Sequence, residues 1–299
     1  MIVLLAGSVL LAAALDAAAQ RTFATPEEAA QALVEVAKSG DMEAATALLG
    51  PGARDVLESG DPIDDANARA QFVERATEKT TIEREDGGWA VVSVGKNAWP
   101  FAIPLRESDG KWVFDLEEGR EELLDRRIGG NELVAISVAR AFVDAQREYA
   151  AKDPDGDGVQ NFASRIMSTE GKRDGLYWPT SEDEEPSPFG PLVAEAVASG
   201  YEADSEGGRV PYEGYYFKVL TAQGDDASGG AMSYEENGKL TKGFGLVAWP
   251  ATYGVSGVQT FVVNQLGIVF EKDLGPETGD VAARMTAYDP DRSWHPSAD

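Results

Sequence analysis

The residues Asp153-Pro154-Asp155-Gly156-Asp157-Gly158 alternate carboxylates with turn formers. Carboxylates drawn onto one centre repel one another unless a hard cation neutralises them. Their spacing matches positions 1, 3, 5 and 6 of a calcium-binding loop. Asp153, Asp155 and Asp157 would supply side-chain oxygens and Gly158 the sharp turn, with Val159 offering a backbone carbonyl and Asn161 a further ligand. Ser164 stands where such a loop needs its bidentate Glu. The same string reads equally as a polar turn ending a helix, because Asp, Pro and Gly all favour turns. Calcium is therefore the one cofactor the sequence suggests. A loop without the Glu would bind it at best in the range of extracellular modules, on the order of 10⁻⁴–10⁻³ M.

A second group is Lys172-Arg173-Asp174-Gly175-Leu176-Tyr177-Trp178. Lys172, Arg173, Tyr177 and Trp178 combine cations with aromatic faces, a pairing that grips a glycan or a peptide. The alternative is an ion-paired turn whose aromatics anchor in a core.

Other chemistries lack their parts. The chain has no cysteine, which removes thiolate catalysis, disulfides and thiolate metal sites. Its only histidine, His295, lies close to the C-terminus, where a frayed tail would be a poor base for a triad or a zinc site. No phosphate-cradling glycine loop follows a strand. A pair of carboxylates across a cleft, as in glycoside hydrolysis, would need about 5–10 Å between them, and spacing in sequence cannot place them. With 52 acidic residues against 26 basic ones the net charge is -26, which excludes a nucleic-acid footprint and disfavours anionic lipid surfaces.

The elements that must position these residues follow from periodicity. Thr25-Pro26-Glu27-Glu28 is a capped helix start, and Ala29, Ala32, Leu33 and Val36 recur at helical spacing behind it. Asp41 caps a second helix that Gly50-Pro51-Gly52 stops, and a further helix covers 64–78 with Phe72, Val73 and Ala76 inward. The period then shortens to two over 80–86, 88–95, 98–106 and 111–116, which predicts an antiparallel meander, bent or at an edge where Pro100 and Pro104 fall. Trp89, Trp99 and Trp112 are expected in its core or at its mouth. Helix 117–127 should end at Gly129-Gly130, with Asn131 capping the helix 132–151 that follows. Residues 161–167 read as a helical turn or two, 180–188 as a surface loop and 189–199 as a helix. The runs 214–221, 243–250, 257–264 and 267–273 read as strands.

The fold class is thus α+β in two domains, 20–128 and 129–299, each with helices and an antiparallel sheet. The first resembles the cystatin-like cone folds related to nuclear transport factor 2. The second, with its long leading helix on a sheet, resembles the soluble part of type IV pilins. The segments Gly129-Gly130-Asn131-Glu132, Lys172 through Pro179, Gly214-Tyr215-Tyr216-Phe217, Gly243 through Pro250 and Asp273-Leu274-Gly275-Pro276 follow one another in a specific order and spacing. Through them the chain resembles, over most of its length, the bacterial family called domain of unknown function 2950. The resemblance implies a secreted or periplasmic protein and transfers no catalytic residue.

Residues 2–15 form an uncharged apolar run, too short to span a bilayer and followed by Ala17-Ala18-Ala19. This is the pattern of a signal peptide over 1–19, although the usual basic residues before the core are missing. The expectation is an exported protein, periplasmic or extracellular, whose mature chain has no transmembrane segment. Its expected role is non-catalytic binding of a protein or cell-envelope partner. The alternatives are a carboxylate-dependent hydrolase of envelope polysaccharide and a calcium-stabilised structural module.

Overall fold

The computed structural model describes residues 20–154, 156, 158–181, 183–201 and 210–298; the apolar N-terminal run expected as an export signal lies outside them. Four helices open the chain: α1 (Pro26–Ser39), α2 (Met42–Leu49), α3 (Ala53–Leu57) and α4 (Pro62–Glu78). Three of them begin where the sequence offers a capping oxygen. The Thr25 hydroxyl accepts from the Glu28 N–H, and the Asp41 and Asp61 carboxylates each accept from two free N–H groups of the first turn.

The meander follows as β1 (Thr80–Glu85), β2 (Trp89–Val94), β3 (Trp99–Pro100), β4 (Leu105–Ser108) and β5 (Lys111–Phe114). They pair antiparallel in the order β1-β2-β4-β5, with β3 also beside β2. The single run expected over 98–106 is interrupted between its two prolines, which have no N–H to give the ladder. Ala90, Val92 and Val94 on alternate positions of β2 bury against Leu33, Leu48, Leu105 and Phe114.

The next element departs from expectation. Gly129 and Gly130 do not break the chain: α5 runs without interruption from Leu116 to Lys152, 37 residues. Asn131 is not a cap but an interior residue of that helix. Leu116, Leu123 and Leu124 pack in the first core, whereas Ala135, Ile136, Val138, Ala139, Phe142, Val143, Ala145 and Tyr149 belong to the second. Burial at both ends holds the two glycines helical, and tertiary packing overrides their poor propensity.

Residues 161–167, expected as helical turns, form no helix but an irregular segment with two isolated bridges. Phe162 bridges to Leu240 and Met167 to Tyr177. After α6 (Gly190–Ala198) come β6 (Tyr215–Leu220), β7 (Ala222–Gln223), β8 (Met232–Ser233), β9 (Glu235–Glu236), β10 (Lys239–Leu240), β11 (Gly245–Pro250), β12 (Gln259–Asn264) and β13 (Phe270–Asp273), then α7 (Thr278–Arg284), β14 (Ala287–Tyr288) and β15 (His295–Pro296). The main sheet has the order β15-β13-β12-β11-β6, all antiparallel. Its central strand β11 is buried at every position. Leu246 and Ala248 face the core under α5, and Val247 and Trp249 face a third cluster with Ala282 of α7 and Trp294. A strand covered on both faces reads as a continuous apolar run, as Gly245–Pro250 does.

The chain is therefore α+β, with helices and antiparallel sheets on both sides of the shared helix α5. Among the described residues no helix is long and apolar enough to cross a membrane.

Candidate functional site

The end of α5, with Pro154 just past it, and the described residues of the loop from Arg173 to Pro188 border a cleft of about 360 Å³. Tyr149, Lys152 and Pro154 come from the helix end; Arg173, Trp178, Glu184, Glu185, Pro186 and Pro188 come from the loop. Tyr149 is a fixed wall: its ring is buried and its hydroxyl donates to the Arg173 carbonyl at 2.7 Å. The half-buried Trp178 meets it edge to face, with ring centres 6.5 Å apart. The Arg173 guanidinium lies 5.4 Å from the Trp178 ring centre and 3.5 Å from the Glu184 carboxylate. Lys152 bridges Glu148 at 2.9 Å and also pairs with Glu185.

The two cations and two carboxylates of the lining thus neutralise each other. The Glu184 carboxyl is held below its usual range by hydrogen bonds from the Ser181 N–H and hydroxyl, helped by Arg173. It is ionised at neutral pH and is a poor general acid. In the same loop Ser187 is 2% exposed and its hydroxyl has no hydrogen-bond partner among the described residues.

Arg173 and Trp178 were legible as a cation–aromatic pair, and the structure brings them together. Lys172 is exposed outside the lining, and Tyr177 packs against the second core, where its backbone pairs with residues 166–168. Tyr149, Lys152 and the Glu-Glu-Pro-Ser-Pro stretch escaped the sequence reading. Their only signal was that the inward face of α5 ends on an aromatic, just before a loop rich in charge and proline.

Beside the cleft, Asp153 terminates α5 with a left-handed backbone, φ 46°. One of its carboxylate oxygens accepts from the Gly158 N–H at 2.9 Å, closing the loop from its first residue to its sixth. The other is buried without a partner among the described residues. Asp155 and Asp157 lie outside the described residues. Val159 is exposed, and Asn161 is buried with its amide donating to the Phe162 carbonyl at 3.4 Å. Among the described residues no three acidic or histidine side chains are grouped to hold a metal.

A second polar cluster joins the two halves. Asp61, 1% exposed, caps α4 through the N–H groups of Ile63 and Asp64 and accepts from the Tyr201 hydroxyl at 2.8 Å and the Gly214 N–H at 3.0 Å. Any side chain at Gly214, φ 75°, would run into Asn131 and Ser256. Burial raises the carboxyls of Asp64 and Glu213, and the neighbouring Asp61 pushes both further. Burial also raises Asp65, against hydrogen bonds from Ser59. Arg127 donates to the Val56 carbonyl at 2.7 Å and faces Asp64 and Asp65, while burial lowers its hold on its proton. Tyr201 and Tyr212 are raised by the same desolvation, Tyr212 to about 12.

One further expectation is corrected here. The tail carrying His295 is not frayed: β15 pairs with β13, His295 opposite Glu271, and Trp294 is buried. Of the two places expected for Trp99, the core is excluded: the ring is 50% exposed, with the guanidinium carbons of Arg75 and Arg126 at 5.5 and 5.1 Å from its centre.

No curated protein and no solved structure matches the chain, so the cone-like and pilin-like resemblances stay without support. A family match covers residues 20–296, under the description Protein of unknown function (DUF2950). That span takes in both cores, the shared helix, the cleft and the Asp61 junction, and the chain belongs to this family.

Proposed function

We propose that this is an exported, non-catalytic binding protein that engages a cell-envelope component through the cleft at the end of α5. The observation that carries the reading is the cleft itself. It is a concave site walled by a rigid Tyr149 and a half-buried Trp178, with Arg173 stacked on the indole. Aromatic and Arg side chains placed together in a pocket are the groups that dominate recognition energies. The ionised Glu184 and the self-neutralised charges favour holding a ligand over breaking its bonds.

The test is co-sedimentation of the purified protein with isolated bacterial envelopes, alongside the double variant Trp178→Ala/Arg173→Ala. The expected result is saturable binding that the double variant loses at least about tenfold, a change of about 1.4 kcal/mol. Equal sedimentation of both proteins would sink the reading. Turnover of ester, peptide or glycan substrates that the double variant loses would replace it with the hydrolase.

A second reading, that the protein is also a calcium-stabilised module, is favoured by one observation. The Asp153 carboxylate closes its loop on Gly158 with one oxygen and leaves the other buried without a donor among the described residues. A buried carboxylate oxygen without a partner is costly, and a hard cation would satisfy it.

A further inference from the structure

We infer that the occupant of the cleft is an uncharged saccharide unit; the inference rests on the cleft being the binding site. Three observations narrow the chemistry. The first is charge: Lys152 pairs with Glu185 and Arg173 with Glu184, so the lining is neutral within a chain of net charge -26. An anionic ligand would have to break these pairs and enter against the field of the whole molecule. A cationic ligand would have to displace Lys152 and Arg173 from their carboxylates. A purely apolar ligand would bury four charged groups without compensation, at a high desolvation cost.

The second observation is the donor and acceptor set. Guanidinium, ammonium and carboxylate groups sit side by side, and a hydroxyl can donate to one and accept from another without disturbing either pair. A ring bearing several hydroxyls satisfies such a wall, and neutral–charged hydrogen bonds are among the stronger ones. The third is the aromatic floor. Trp178, set edge to face against Tyr149 at 6.5 Å and covered on one face by the Arg173 guanidinium, lines the cleft with the remainder of its indole, an apolar contact for the C–H groups of a sugar ring. At about 360 Å³ the cleft lies at the small end of ligand sites, which suits a mono- or disaccharide unit.

The experiment is a titration of the purified protein with N,N′-diacetylchitobiose, followed by calorimetry and saturation-transfer NMR. Triglutamate and pentaproline serve as the anionic and peptide comparisons. The expected result is saturable chitobiose binding with a Kd at or below about 1 mM, weakened at least tenfold by Trp178→Ala and unchanged by Trp99→Ala. Because Trp178 is half-buried, Glu184→Gln provides a second arm at an exposed position. It should weaken binding severalfold while leaving the melting temperature in place. Absence of saturable chitobiose binding overturns the inference, as does binding that none of the cleft variants affects. If pentaproline binds in its place and Trp178→Ala abolishes it, the saccharide class falls and the binding cleft stands. If the envelope sedimentation is also indifferent to the double variant, the cleft reading falls with it.

Discussion

Asp153 serves two structures at once. As the residue after the last turn of α5 it takes a left-handed backbone, a conformation that Asp tolerates better than most residues. As the first carboxylate of its loop it accepts from the sixth residue, the bond that would orient the remaining oxygen toward a cation. Calcium binding to the folded state stabilises it by mass action, about 1.4 kcal/mol at a free concentration near ten times Kd. With a Kd in the range of extracellular modules, 10 mM calcium should raise the melting temperature by on the order of 5 °C. Asp153→Asn keeps an acceptor for the Gly158 N–H and removes the charge, and should abolish the rise. A thermal scan with calcium, with magnesium and with neither decides it: no calcium-specific shift in the wild type, or an equal shift in the variant, rejects the metal reading. The carboxylate spacing made this loop legible in sequence. Nothing in the string Ser-Glu-Asp-Glu-Glu-Pro-Ser-Pro marked Glu184 and Glu185 as cleft walls, because a charged loop folds back on a helix end only through tertiary contacts.

At the scale of the element, α5 is the spine between the halves, and its glycines separate two physical roles. Gly119 lies where a Cβ would be driven into the Cα of Ile103 and the Ala102 carbonyl, so no other residue fits. Gly129 and Gly130 are exposed and helical, and among the described residues no atom lies within 4 Å of where a side chain would begin. There glycine costs helix propensity, about 0.5–1 kcal/mol each against alanine, with no packing gain in return. Gly129→Ala/Gly130→Ala should therefore raise the stability by about 1–2 kcal/mol in a urea titration, whereas Gly119→Ala should lower it. A destabilised double variant would show that the helix must bend at this point. The same pair explains where sequence reading went astray. Two consecutive glycines read as a break on local propensity, yet Leu123 and Leu124 before them and Ala135 and Ile136 after them are gripped by different cores. Periodicity recovered α1, α2 and β2 because each buries one regular stripe, whereas α7 and the two-residue strands β7, β8, β9, β10, β14 and β15 are too short to carry one. The stretch 161–167 failed because Phe162 and Met167 are held by single bridges to distant residues, which leave no periodic trace.

At the scale of the molecule, the junction of the two halves is built from carboxylates in a chain that already carries a net charge of -26. Asp61 is spent on four donors from α4, Tyr201 and Gly214. Around it stand Asp64, Asp65 and Glu213, with Arg127 facing Asp64 and Asp65 and Glu195 acting on Glu213. Asp64, Asp65 and Glu213 are all raised in the folded state, first by burial. The native protein therefore binds protons that the unfolded chain has already released. Where that holds, stability falls as pH rises. The loss begins near the ordinary carboxylate value of about 4 and is complete once pH has passed the raised values. The opposing groups act lower. Burial alone would raise Asp174, but hydrogen bonds from the Thr169 N–H and hydroxyl outweigh it and lower its carboxyl; Ser293 lowers Asp291, Ser181 lowers Glu184 and Lys96 lowers Glu78. What these four contribute is present at neutral pH and lost only as pH falls through their lowered values. The urea midpoint should accordingly be higher at pH 5 than at pH 7.5, and fall again below about pH 4. The junction acids are partly solvated, so salt should blunt the difference. Asp64→Asn/Glu213→Gln removes two raised carboxyls, and should lift the midpoint at pH 7.5 toward the pH 5 value while flattening the slope between them. A midpoint that rises steadily from pH 5 to 7.5, or a slope that the double variant leaves intact, would mean that the junction is not where the molecule stores its electrostatic strain.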